Sequence, residues 1–564
     1  MALIGVALYL SVNAWYQYQQ KTNPDAFSAL PPVSKQMAEN TALKWYQGKF
    51  GSPAAEAEST VYITDKKTEA YLEKNGLADE YEKKFQKILP LDFWRVTLKA
   101  AGGERIYIRV GMDEAKVYGF QSVDPYRADV LSMTGATPQQ ALQDLGYRPD
   151  DFQVELAAPQ TGSRDDELFL VRYSSKTVKI GAAQLVIGQN GNQQKGITEI
   201  VPFFQLPDDF LSWLKKQDSG AALYSVLYMA GALIFGIVGL ILIIIKRKNS
   251  RFSRGILFSL VFLSAIGVYT WNSIPAQTAS VEPKQLNYVS NSFLFFSSMI
   301  LYVLLAVSVY FNAVAGDMLW RERGWNPWLR WKDASFGRHV YASMGRGYLL
   351  AIFVMGVQQV LFLFALGAFH SFSVSDPSQS MDNLYWPWLF PSLAWYAGIG
   401  EEIAFRLFGI ALFRKILPEG RSPVSQQVIR FLSVLLPALI WAAGHASYAF
   451  YPNYTRLFEV TALGIVFGYV FLRYGLYTAI FTHVSMDIVL MSLAYMAAVR
   501  TPGSILLGVF YMATPFLVAA VILFLHRNFH RAPAVSVTDS SPALRLYSDP
   551  ETDLETDPDR TPNP

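Results

Sequence analysis

The sequence predicts an α-helical multi-pass membrane protein of about ten spans, with an α+β extracytoplasmic domain inserted after the first span. Three observations carry this. Charged residues make up 16 % of the chain, well below the usual quarter. The apolar residues are unevenly spread: Asn23 to Gln217 is polar and mixed, whereas Leu223 to Leu525 is a series of apolar blocks of membrane-crossing length. Basic residues gather in alternate loops between those blocks.

In chain order, Ala2 to Val12 is a short apolar run without a basic leader, read as an uncleaved membrane anchor over residues 1–16. Residues 23–217 then form the extracytoplasmic domain. A helix is expected over Val33–Tyr46. Ile106, Ile108 and Val110 alternate with Arg105, Tyr107 and Arg109, the pattern of a half-buried strand, and Gly102-Gly103 turns it back on Trp94–Leu98. Further strands are expected at Lys116–Gln121, Leu168–Tyr173 and Gln184–Ile187. Thr137-Pro138 opens a short helix that Gly146 stops. The order of helix and strands, occurring twice, resembles duplicated PepSY-like extracytoplasmic modules. This domain has no histidine and its carboxylates are scattered, so it reads as a sensing, docking or inhibitory module.

Residues 223–526 form the polytopic membrane region. Its expected spans are Leu223–Ile245, Ile256–Ile274, Ser292–Val314, Tyr348–Phe369, Trp386–Leu412, Val428–His445, Leu457–Leu472, Tyr477–Met496 and Ile505–Leu525. The basic loops around Lys246, Arg321, Arg414, Arg473 and Arg527 mark the cytoplasmic side, and the loop from His370 to Leu384 marks the other. Trp320, Trp325, Trp328 and Trp331 read as interfacial anchors. The polar tail, residues 532–564, reads as disordered and cytoplasmic. The location is therefore a cell membrane, with the lipid bilayer as the first partner. The net charge of +3 is partitioned by side, and no basic stripe points to nucleic acid. With no cysteine, disulfides, thiolate metal sites and a cysteine nucleophile are excluded.

The informative residues are the charged ones inside apolar spans, because each costs at least about 2.5–3.5 kcal/mol at mid-bilayer. They are Glu401, Glu402, Arg406, His445, His483 and Asp487, with Glu459 close enough to a span end to snorkel. Glu402 and Arg406 are four apart and pair on one helical face, the geometry of a structural lock. Glu401 points about 100° away. His483 and Asp487 share another face. Singly, each has an ordinary explanation, such as a packed histidine or an internal ion pair. Together, on three spans, they form a water-activating set. In one mechanism Glu401 is the general base, His445 polarises the water, and His483 with Asp487 supports the oxyanion. In the other, Glu401, His445 and His483 hold a divalent metal such as zinc, with Asp487 orienting a ligand. Spacing leaves both open.

Glu401-Glu402-x-x-x-Arg406, Trp441-x-x-x-His445 and His483-x-x-x-Asp487 resemble the three motifs of the CPBP intramembrane proteases, the type II CAAX prenyl endopeptidase and bacteriocin-processing (ABI) group. The glycine-spaced run from Gly464 to Gly475 agrees, and the resemblance centres on residues 385–496. It implies a helical endopeptidase that cleaves membrane proteins or lipidated peptides, with Glu401, His445, His483 and Asp487 catalytic and Glu402, Arg406 and Trp441 shaping the site. Trp441 stands where the family commonly has Phe, and Asp487 where Asn also occurs. An ionised Asp donates no hydrogen bond, which bears on its oxyanion role. The readings to be separated from it are a non-catalytic membrane scaffold or immunity-type protein that binds through its outer domain, and a transporter. Straight spans would also leave His445 and His483 at depths differing by roughly 10–20 Å.

Overall fold

The computed structural model describes residues 1–18, 31–50, 55–122, 132–133, 135–157, 168–192, 196–281, 285 and 289–530. The expected tail, residues 532–564, lies outside them.

Helix α1 (Ala2–Tyr18) is followed by α2 (Lys35–Phe50), strand β1 (Glu56–Thr64), α3 (Lys66–Asn75), α4 (Ala78–Lys84), β2 (Asp92–Lys99), β3 (Arg105–Gly111), β4 (Val117–Ser122) and α5 (Pro138–Asp144). Strands β5 (Phe152–Ala157), β6 (Leu168–Ile180), β7 (Ala183–Asn192) and β8 (Gly196–Gln205) complete one antiparallel sheet. Its order is β1-β2-β3-β4-β8-β7-β6-β5. Two four-strand meanders thus meet at their last strands, where Phe120 faces Ile200. Trp94, Val96, Ile106, Ile108 and Phe120 bury one face under α2, whose Ala38, Ala42 and Tyr46 are fully buried. The expected Thr137 cap is present as a capping box with Gln140. Strands β1, β5 and β8 and helix α3 were not expected. Pro202 in β8 argues from sequence against a central strand, yet it sits opposite Ile187 in the middle of the sheet.

The remaining helices are α6 (Asp208–Ile245), α7 (Ile256–Asn272), α8 (Ile274–Ser280), α9 (Asn291–Glu322) and α10 (Phe336–Phe369). After a two-residue strand β9 (Phe372–Ser373) come α11 (Leu393–Glu401), a π-helical segment (Glu402–Gly409), α12 (Ile410–Ile416) and α13 (Pro423–Ala443). Strand β10 (Phe450–Tyr451), α14 (Asn453–Tyr474), α15 (Leu476–Val499) and α16 (Pro502–Phe529) follow. Seven helices among the described residues are long and apolar enough to cross a membrane, and the bent pair α7–α8 makes eight. The other two expected segments differ in form. Helix α1 is short, and Trp386–Leu412 is not one continuous helix. Pro387 and Pro391 lack the N–H a continuous α-helix needs, so the segment begins as a 3₁₀ turn over Pro387–Ser392.

The bundle has two distinct ends. At one, Lys246 pairs with Glu322 at 2.6 Å, the Arg323 guanidinium donates to the Arg414 carbonyl, and the Leu476 N–H donates to the Pro327 carbonyl at 2.9 Å. The basic loops therefore meet there. Trp320 and Trp328 are not anchors but 2 % exposed core residues: their indole N–H groups donate to the Leu407 carbonyl and to the buried Asp317. Trp331 stays exposed.

At the other end sits the sheet domain. Arg95 donates to the Thr278 carbonyl at 2.7 Å, and Asn453 contacts Gln217 at the start of α6. Asn383 exchanges hydrogen bonds with the backbone of Tyr62, and Glu69 accepts from the Ser375 N–H and hydroxyl at 3.0 Å each. Strands β9 and β10 pair with each other, and Trp213 packs against Phe372 and Tyr451. The sheet domain therefore grips the two loops that flank the charged residues, one leading to α11 and one leaving α13.

Candidate active site

The charged residues converge because small residues let their helices touch. A Cβ at Gly398 would lie 2.5 Å from a Val484 methyl, so α11 presses directly on α15 and brings Glu401 beside His483. A Cβ at Gly464 would lie 2.8 Å from Ala438 and 3.0 Å from the Trp441 ring, so α14 lies against α13 in the same way.

The two adjacent carboxylates part company at the junction of α11 with the π-helical segment. Glu402 is fully buried. One of its oxygens lies 3.1 Å from the Arg406 guanidinium and 2.8 Å from His483 Nδ1. Arg406, 2 % exposed, is held between Trp441 and Phe467 at 4.1 and 5.2 Å from their ring centres. Glu401 instead lines a cavity and accepts a hydrogen bond from the Trp441 indole N–H.

His483 presents its other nitrogen to that cavity. Its Nε2 is 3.5 Å from Asp487 and 3.9 Å from Glu401. His445 is not inside a helix as expected: α13 ends at Ala443, and His445 lies in the turn beyond it. Its Nδ1 is 3.1 Å from the Trp441 carbonyl, which only accepts. Nδ1 therefore carries the proton and Nε2 offers a lone pair. Trp441 stands between the imidazoles, with ring centres 4.9 Å from His445 and 5.8 Å from His483. The expected depth mismatch is absorbed because α13 stops at the level of the site, while its first two turns, through Arg430, stay mostly exposed at the basic end.

Glu401, Trp441, His445, His483 and Asp487 all line one cavity of about 2010 Å³. Among the described residues no three His, Asp or Glu side chains are placed to hold one metal ion. Glu402 engages Nδ1 of His483 and the Trp441 carbonyl engages Nδ1 of His445, which leaves Nε2 as the free nitrogen of each ring. The expected ligand set of Glu401, His445 and His483 is therefore not gathered around one point in this arrangement.

Residues 383–489 match the family model described as Type II CAAX prenyl endopeptidase Rce1-like. Over this segment the chain is similar to that family. The match takes in all seven site residues and leaves out the sheet domain. No curated protein and no solved structure matches the chain.

Two features of the site were not read from the sequence. Trp441, expected to shape the site, does so by donating its indole N–H to Glu401. Arg456, Glu459 and Gln358 form a linked group beside the site: Glu459 does not snorkel but is 2 % exposed, with Arg456 at 2.5 Å and the Gln358 amide at 3.1 Å. The spacing of Arg456 and Glu459, three apart at a helix start, is the signal that could have found them.

Proposed function

We propose that the protein is an intramembrane endopeptidase in which Glu401 is the general base. The observation that carries this reading is the separation of roles between two neighbouring carboxylates. Glu402 is committed to Arg406 and His483, while Glu401 faces the cavity between His483 and the Trp441 N–H. Glu401 takes a proton from a water molecule that the His445 Nε2 lone pair helps to orient. The hydroxide oxygen bonds to the scissile carbonyl carbon, whose oxygen becomes negative. His483, when protonated on Nε2, donates to that oxygen while Nδ1–H remains on Glu402. Glu401 then passes its proton to the leaving nitrogen as the C–N bond breaks. Asp487, acceptor-only when ionised, orients His483 rather than donating to the oxyanion.

The substrates in this reading are membrane-associated polypeptides, lipidated or membrane-spanning. The gathering of basic loops at one end of the bundle supports placing that end in the cytoplasm and the sheet domain outside. The test is a comparison of new N-termini in membranes of cells carrying the wild-type chain or Glu401→Ala at equal abundance. Peptide ends that vanish with Glu401→Ala are expected. Identical sets of ends would leave a binding scaffold as the better description.

A further inference from the structure

The cavity does not end at the catalytic group. It continues from Glu401 past β9 to the sheet domain, where Glu69, Glu73, Asp79, Glu82 and Asp92 line it. Lys74 is the one lysine or arginine that the sheet domain contributes to this wall among the described residues, and its ammonium is drawn over the Trp213 ring at 4.4 Å. The carboxylates are crowded as well as numerous. Glu69 and Glu73 lie near enough to Asp92 and Asp79 to feel their charge, although burial, the larger cause, pushes Glu69 up to about 7 and leaves it partly neutral near pH 7. Like charges held together in a cleft leave a negative field that a cation relieves.

A second, independent observation lies nearer the site. Gln358 is 5 % exposed and lines the same cavity. Its Nε2 donates to Glu459 at 3.1 Å, and because a carboxylate only accepts, the amide cannot be reversed. Its Oε1 has no hydrogen-bond partner among the described residues. That oxygen is closed off from the cavity in this arrangement, so a peptide N–H reaches it only when the Gln358 side chain turns.

We propose that the site takes a polypeptide with a basic flank on the sheet-domain side, admitted through the passage between that domain and the membrane core. This rests on the endopeptidase reading and adds the route and the charge class of the substrate. The field along the passage selects the basic flank, and the continuous cavity leads the chain to Glu401.

The chain has no cysteine, so single cysteines report cleanly. Ala397 lines the cavity one helical turn before Glu401. In the full chain carrying Ala397→Cys, a cationic methanethiosulfonate (trimethylammonium-ethyl) added from the sheet-domain side is expected to react at least about tenfold faster than the anionic sulfonatoethyl reagent. Adding Glu73→Gln, Asp79→Asn and Glu82→Gln should bring the two rates within about twofold, as should high salt. A nona-lysine peptide should slow a neutral maleimide at Ala397→Cys severalfold, and a nona-glutamate peptide should not. Equal rates for the two charged reagents, entry only from the basic-loop end, or equal protection by both peptides would overturn the proposal. Leu490→Cys repeats the measurement if Ala397→Cys does not fold, and Ser373→Cys at the mouth reports that the passage is intact. Labelling needs no turnover, so it gives the same answer with Glu401→Ala and separates failure of the route from failure of the protease reading.

Discussion

His483 Nδ1 lies 2.8 Å from a Glu402 oxygen, and that same oxygen lies 3.1 Å from Arg406. The pair expected to be a structural lock is thus also the support of an imidazole. Glu402→Gln removes the charge but keeps the shape. Cleavage is expected to fall by about 10–100-fold, as when an outer partner of a functional imidazole is lost. The loss should fall in kcat rather than KM, and the pH profile should shift, which a purely structural role would not produce.

Arg406→Ala is expected to act differently. It strands a buried carboxylate, and breaking a buried pair from one side costs about 3–5 kcal/mol. Reduced abundance and a lower Tm should accompany loss of cleavage. A normal Tm with lost cleavage would show that Arg406 serves the reaction and not the fold.

Trp441→Phe isolates the indole N–H. The ring still covers Arg406, but Glu401 loses its donor. With an N–H bond to a charged group contributing about 1.5–3 kcal/mol, a loss of activity of roughly 10–100-fold is expected with a small change in Tm. Unchanged cleavage would show that this hydrogen bond does not tune the base.

Exhaustive chelation of the purified protein, followed by assay in metal-free buffer, is expected to leave cleavage intact. The donors at Glu401, His445 and His483 do not converge on one point. Loss of activity that zinc restores would require a rearrangement bringing the three together.

Contact between the sheet domain and the loop before α11 is expected to weaken as pH rises. Burial pushes Glu69 from 4.5 up to about 7, reinforced by Asp92 and Glu73 and partly offset by the Ser375 N–H and hydroxyl. A group with a raised pKa in the docked state contributes fully below about 4.5, and the contribution is lost as pH rises through about 7. Hydrogen exchange across residues 372–376 should therefore speed up between pH 6 and pH 8 beyond the intrinsic rate change. Glu69→Gln should abolish that extra dependence. If it persists in the variant, Glu69 is not its source.

Much of this site was legible beforehand because charge is conspicuous where hydropathy forbids it. Glu401, Arg406, His445 and His483 stand out against apolar neighbours, and their spacing carries the family resemblance. The strand alternation at Ile106–Val110 and the Thr137 cap were local signals, and both are present in the fold. What stayed hidden depended on contacts between distant segments. Pro202 obscured β8, because only its place between β4 and β7 reveals a strand there. Trp320 and Trp328 looked interfacial because basic residues flank them, yet the Leu407 carbonyl and the Asp317 carboxylate accept hydrogen bonds from their indole N–H groups in the core. The bond from Trp441 to Glu401 spans forty residues and has no local signature.

The π-helical segment from Glu402 to Gly409 has a consequence for how this chain can vary. A π-turn holds about one residue more than an α-turn. Upstream of it, α11 is set in phase against α15 by Gly398; downstream, α12 leads to the basic end. Deleting one residue within the segment would restore an α-helix and leave the two halves close to their present phase, whereas the same deletion inside α11 would rotate its upstream part by roughly 100°. Glu401 would stay at the cavity in the first case and Gly398 would leave its place against α15 in the second. The segment is therefore a place where the helix can lose a codon and keep the phase that sets Glu401 against α15, a tolerance that hydropathy profiles alone would never reveal.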